Sequence, residues 1–190
     1  MAPLRLGAPH RGRCDARGWP GSRQASSSRA VWGADLFLST HEKQLDAKRR
    51  IVAPYDFRAS VAPLDGLFCF PSIEADCIEG GGQDLFDEYS KLIEEFELGD
   101  PLRTALETRI MGGMSRLSFD PAGRITLPEN LCQAFGLRDW VTIIGLKNRF
   151  QIWSREAFQN RWVEQLPIAR DGLAAHRAQQ RERRLAVGGQ

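Results

Sequence analysis

The sequence predicts an α+β fold, mainly β, made of two similar units with helices at the periphery. Three observations predict it. Asp46, Arg50, Ile51 and Pro54 recur as Asp120, Arg124, Ile125 and Pro128, all at one offset of 74 residues, which argues for a duplicated unit. Each copy leads into a polar–apolar alternation with the period of a half-buried strand. Between these stretches lie segments with helix start and stop residues or a single apolar face.

The folded part is expected to begin near Leu36-Phe37-Leu38. Lys48 to Val52 reads as a strand and Pro54 to Ser60 as a short helix. Leu67 to Phe70 reads as the next strand, with Phe68 and Phe70 on one face. Gly80-Gly81-Gly82 reads as a linker. Asp84 to Phe96 follows as a helix, with Leu85, Tyr89, Leu92, Ile93 and Phe96 on one side. Gly99-Asp100-Pro101 breaks it; Asp100 as N-cap and Pro101 in the first turn start another helix towards Ile110, ended by Gly112-Gly113.

The second unit repeats this order. Arg124 to Leu127 is the strand, Pro128 opens a helix from Glu129 to Phe135, and Gly136 stops it. Val141 to Ile144 and Arg149 to Trp153 alternate as two strands around a turn at Leu146-Lys147-Asn148, which makes a hairpin. Ser154 caps a helix expected to run to about Gln165 and to stop before Pro167. Asp171 to Val187, rich in Ala, Gln and Arg, reads as a separate solvated helix. Arg177, Arg181 and Arg184 form a basic stripe on it; such a stripe is usually no more than a solvated face.

The domain organisation that follows is an Arg-rich disordered extension over 1–36, a first unit over 37–84, a helical linker over 85–112, a second unit over 113–157 and a helical tail over 158–190. The first 34 residues carry six arginines and one acid and are too poor in apolar residues to offset chain entropy. Their composition is also that of an organellar transit peptide, and a basic tail could add DNA affinity; the preferred expectation is an upstream extension with no structural role. The net charge of +2 therefore hides an acidic remainder, most of it in residues 74–100, which hold ten acids and one lysine. That is unlike a globally basic nucleic-acid binder, so any anion-binding surface must be local.

Four cysteines, at 14, 69, 77 and 132, show neither metal-finger spacing nor a disulfide framework, and are expected as reduced thiols of a cytosolic protein. No run of about 18 apolar residues exists to span a membrane. Enzyme motifs fail one by one. His41-Glu42-Lys43-Gln44-Leu45 opens like a zinc-protease helix, but Leu45 stands where the second histidine must be. Gly80-Gly81-Gly82 is followed by Gln-Asp and not by Gly-Lys-Ser/Thr. No catalytic residue, metal or cofactor is expected.

The repeated Asp-x-x-x-Arg motif carries the chemistry. In Asp120-Pro121-Ala122-Gly123-Arg124, proline presets φ, Gly123 permits a positive φ, and Asp120 can bond the backbone of the turn. The arginine then emerges at a fixed place, where a planar guanidinium suits phosphate or guanine. A simple turn staple is the competing reading. The first copy weighs against it: Lys48, Arg49 and Arg50 are three consecutive cations, with Lys43 and Arg58 nearby, and they repel unless something anionic faces them.

Phe37-Leu38-Ser39-Thr40-x-Glu42-x-x-Leu45-Asp46-Ala47-Lys48 resembles the opening of the MraZ family of bacterial transcriptional regulators, and Asp120 to Pro128 with Gly145 to Trp153 resembles its second half. The resemblance runs from about Phe37 to Trp162. It implies a pseudo-symmetric swapped-hairpin barrel of two fused AbrB-like units. It implies a cytoplasmic, nucleoid-associated protein that forms ring oligomers and binds double-stranded DNA at promoter direct repeats of the division and cell-wall gene cluster. By that likeness Lys48, Arg50 and Arg124, with Arg49 beside them, face DNA, while Asp46, Asp120 and Gly123 shape the motif turns. Arg49 stands where the family has glycine; if the position needs a positive φ, arginine costs about 1–2 kcal/mol there. A ring-forming scaffold without specific DNA binding and an AbrB-like antitoxin are the alternatives. The antitoxin is disfavoured because such proteins usually carry one unit per chain.

Overall fold

In the computed structural model the described residues are 36–60 and 66–187. The N-terminal extension expected over 1–36 lies outside them but for Leu36. Among the described residues, eight strands and five α-helices follow one another in two passes. The first pass is β1 (Thr40–Gln44), β2 (Arg50–Val52), α1 (Tyr55–Ser60), β3 (Leu67–Pro71), β4 (Ile78–Gly81) and α2 (Gln83–Glu94). After α3 (Pro101–Leu106) and a π-helical turn (Glu107–Met111), the second pass is β5 (Ser115–Leu117), β6 (Arg124–Thr126), α4 (Glu129–Ala134), β7 (Trp140–Gly145), β8 (Arg149–Ser154) and α5 (Arg155–Val187). The 74-residue offset maps β2 onto β6 and α1 onto α4 end for end.

Six strands form one antiparallel sheet in the order β1-β7-β8-β4-β3-β5, and β2 pairs with β6 as a separate two-stranded ribbon. The expected α+β class holds. The expected barrel does not form: β1 and β5 lie at opposite edges of an open sheet, and closure would require them to pair with each other. The first strand of each pass is donated to the other pass, β1 to β7 and β5 to β3. Folding one unit's sheet therefore requires the other unit.

One core serves both passes. Phe37 ahead of β1 and Ile51, Phe57, Leu67 and Ile78 of the first pass pack with Leu117, Ile125, Leu127, Leu131, Val141, Phe150 and Ile152 of the second, all nearly or fully buried. Phe37, Phe57 and Phe150 meet ring to ring, with centroids 4.9–5.6 Å apart. A smaller cluster of Phe70, Leu85, Tyr89 and Ile110 seats α2 and the π-helical turn on β3. Beneath it Glu79 is fully buried, yet satisfied: it accepts from the Tyr89 hydroxyl (2.8 Å) and the Ser72 hydroxyl (3.1 Å) and pairs with Arg149 (3.3 Å).

Two helix-level expectations need correction. Gly80 and Gly81 are not a linker; they are buried residues of the central strand β4. A Cβ on Gly80 would come within 2.6 Å of the Phe150 ring and 2.5 Å of the Phe68 carbonyl oxygen, so glycine here lets an aromatic ring lie on the sheet. Pro167 does not stop the last helix, which runs unbroken for 33 residues. The stretch beyond it is rich in Ala, Gln, Arg and Leu, strong helix formers that carry the helix past one missing N–H. Ser154 does cap it, its hydroxyl accepting from the Ala157 N–H at 3.2 Å. Asp100 caps α3 as expected, accepting from the Leu102 N–H at 2.7 Å. Cys69, Cys77 and Cys132 are buried free thiols; burial raises all three, Cys69 and Cys77 to about 12.

Candidate nucleic-acid interface

The ribbon of β2 and β6 sets Ile51 directly opposite Ile125, with Arg50 opposite Thr126 and Val52 opposite Arg124. Because side chains alternate along a strand, the two isoleucines point into the core and the other four residues share the outer face. Ile51 and Ile125 are 1% and 2% exposed, while Val52 and Thr126 are open to solvent. Burying each isoleucine stabilises the ribbon by roughly 1.5–3 kcal/mol. Arg50 and Arg124 are diagonal neighbours on the outer face, a backbone spacing of about 7–8 Å.

Both motif turns have the same internal bonding. In the first, Asp46 Oδ1 accepts from the backbone N–H of Lys48 (2.8 Å) and of Arg50 (2.9 Å), and Oδ2 accepts from Arg50 Nε (2.7 Å). In the second, Asp120 Oδ1 accepts from Ala122 and Arg124 N–H (2.9 Å each) and Oδ2 from Arg124 Nε (2.7 Å). The turn closes when the fourth residue's N–H donates to the aspartate carbonyl, at 2.8 Å in each copy. The Asp46 carboxyl is held down at about 2 by the Arg50 side chain and then by the backbone N–H of Arg50. Asp120 is lowered too, chiefly by the backbone N–H of Arg124. Each arginine is thus aimed by a carboxylate that stays ionised at neutral pH. The staple and the aiming device are one arrangement.

The two turns are bound to each other. Ala53 N–H donates to the Gly123 carbonyl (3.1 Å) and Leu127 N–H to the Arg49 carbonyl (2.9 Å), a reciprocal pair at the 74-residue offset. The fourth position is left-handed in both: Gly123 at φ 72 and Arg49 at φ 59. Arg49 therefore bears the strain that glycine would avoid. Its guanidinium lies 3.6 Å from Glu129 on α4 of the other unit, and Lys48 beside it is exposed.

All the residues singled out from sequence meet at this ribbon: Lys48, Arg49, Arg50 and Arg124 with Asp46, Asp120 and Gly123. Lys43 is set apart on β1, opposite Val141. Arg58, noticed only as a nearby cation, proves to belong to the turn of the other unit. Its α1 helix places the guanidinium against Gly123 and 5.7 Å from the centre of the exposed Tyr55 ring. The signal was present, since Arg58 sits 74 residues before Cys132, but identical residues revealed the repeat and this pair differs. Among the described residues no cluster of His, Cys, Asp and Glu could hold a metal ion, and no helix is long and apolar enough to cross a membrane.

The family model described as MraZ protein, antitoxin-like, matches residues 110–182. A transcriptional regulator MraZ of Phenylobacterium zucineum is 69% identical over 156 residues, covering 82% of this chain and 98% of that protein. The protein of the same name from Caulobacter vibrioides is 64% identical over 154 residues, covering 80% and 99%. That of Hyphomonas neptunium is 33% identical over 159 residues, covering 80% and 96%.

Proposed function

This chain belongs to the MraZ family, and on that premise we propose that it is a transcription regulator that binds double-stranded DNA through the β2–β6 ribbon. The observation that carries the proposal is the pair of arginines on one ribbon face, each braced by its own aspartate. A two-stranded ribbon fits the major groove, about 12 Å wide. There Arg50 and Arg124 reach a guanine edge or a phosphate, while Lys48 and Arg49 add charge at one end. Asp46, Asp120 and Gly123 hold the turns and touch no DNA. No step of this activity is catalytic. We read the exchange of β1 and β5 between passes as the swapped-hairpin arrangement of two AbrB-like units, 37–84 and 113–157.

A single ribbon neutralises few phosphates and binds weakly by itself. In this proposal ring oligomers supply the missing affinity, because linked ribbons engage successive direct repeats of the promoter of the division and cell-wall gene cluster. Helix α5 supports assembly: it is about 50 Å long, and Trp162, Val163, Leu166, Ile168 and Leu173 along it are all at least half exposed. Truncation after Pro167 should lower the mass seen by light scattering, and an unchanged mass would remove the tail from the assembly. The site is then cytoplasmic and on the nucleoid. The same exposed helix favours a second reading, a scaffold that assembles without specific DNA binding.

Fluorescence anisotropy decides between them. A duplex from immediately upstream of the gene should bind more tightly than a scrambled duplex, with strong salt dependence, and Arg50→Ala should weaken it. Equal, weak binding to both duplexes would leave the scaffold.

A further inference from the structure

We propose that Arg58 is a DNA-phosphate contact belonging to the second motif, lent across the pseudo-twofold by the first unit; the inference rests on the DNA-binding reading above. It follows from a charge difference between the two turns. Before its arginine the first turn carries Lys48 and Arg49, whereas the second carries Ala122 and Gly123. Arg124, paired to Asp120, is the second turn's one cation, where the first turn has three.

Arg58 adds a second cation there. A Cβ on Gly123 would come within 2.0 Å of Arg58 Nη1 and 2.8 Å of Cζ, so the guanidinium lies directly on the turn that leads into Arg124. The first turn has the counterpart arrangement with the roles exchanged: Arg49 rises from the turn itself and pairs with Glu129 of α4, the position equivalent to Tyr55. Each turn thus receives one guanidinium in the same relative place, from opposite sides of the pseudo-twofold.

Among the described residues, Arg58 differs from the other guanidiniums at the ribbon in having no carboxylate partner. Arg50 and Arg124 have their aspartates and Arg49 has Glu129, but no carboxylate among the described residues pairs with Arg58; its buried Nε, like that of Arg49, has no acceptor there. The Tyr55 ring, 74% exposed, lies under the guanidinium and holds the side chain without cancelling its charge. A half-buried guanidinium without a carboxylate partner among the described residues, held at the end of an arginine-bearing ribbon, fits an anion that arrives from outside. A phosphate contact carries no base preference.

The test uses the full chain and the upstream and scrambled duplexes, with parent, Arg58→Gln, Arg58→Lys and Arg124→Ala compared across salt. Arg58→Gln should weaken both duplexes alike and lower the salt slope by about 1, so that between about 50 and 200 mM salt it loses about 3.5-fold less affinity than the parent does. Arg58→Lys keeps the charge and should keep the slope. Thermal melting of each variant reports whether it folds, and Arg58→Lys remains informative where Arg58→Gln does not fold. An unchanged slope in Arg58→Gln, or a slope lost equally in Arg58→Lys, would overturn the contact. If Arg124→Ala loses binding while both Arg58 variants match the parent, the inference fails and the DNA reading stands. If the parent prefers neither duplex and binds both weakly, the DNA reading fails and takes the inference with it.

Discussion

The turn at 46–50 and the turn at 120–124 have the same hydrogen bonds to within 0.1 Å at the aspartate. Their surfaces differ. The first puts a strained arginine at the left-handed position and an exposed lysine beside it; the second puts glycine and alanine there and borrows a guanidinium from the opposite helix. Backbone geometry and surface charge are therefore set separately. The aspartate and the ribbon bonds fix the conformation, and the residues between aspartate and arginine are left to choose the charge.

The equality of the two backbones can be broken most severely from beneath. Ile51→Ala and Ile125→Ala should each cost about 2–5 kcal/mol in chemical denaturation, since each removes a buried side chain from the ribbon's inner face. If one costs much less than the other, the two strands do not support the ribbon alike. The outer face comes next. Arg50→Ala and Arg124→Ala should each weaken binding to the upstream duplex by about 1–3 kcal/mol in anisotropy. A loss confined to Arg50 would mean that only the more basic turn meets DNA.

The left-handed position gives a smaller and opposite effect. Arg49→Gly removes the strain at φ 59 and should raise stability by about 1 kcal/mol, read as a higher Tm, while lowering DNA affinity. A lower Tm would show that the Glu129 contact outweighs the backbone term. Acid should separate the turns least. The carboxyl of Asp46 is depressed from an ordinary 3.8 to about 2, so its brace is at full strength above about pH 4 and is lost as pH falls through 2. Asp120 moves in the same direction. A carboxyl-carbon NMR titration with its midpoint near 3.8 at Asp46 would show an unbraced arginine.

The parts of the molecule governed by local chemistry were legible. The repeat named both ribbon strands and both short helices, and the Asp-x-x-x-Arg turns were readable from proline, glycine and aspartate. What escaped depended on distant residues. β4 looked like a glycine linker because the Phe150 ring that requires Gly80 comes from a strand 70 residues later. The strands β1 and β5 carry weak alternation and exist because the other unit's hairpin offers them an edge. Pro167 looked like a stop because its penalty is local, while the propensity that overcomes it is spread over the turns that follow. Arg58 was visible only as a neighbouring charge, since its place against Gly123 is a contact between units.

The reciprocal bonds Ala53–Gly123 and Leu127–Arg49 join two turns that are no longer alike. A dimer of identical chains presents the same face from either side and calls for a palindrome. Here one chain supplies both halves, and their residues differ, so the ribbon has a head, with Lys48 and Arg49, and a tail, with Gly123 under Arg58. A ribbon with a head and a tail has a direction. Copies laid along a duplex in the same orientation would meet a word repeated in tandem, all written the same way round.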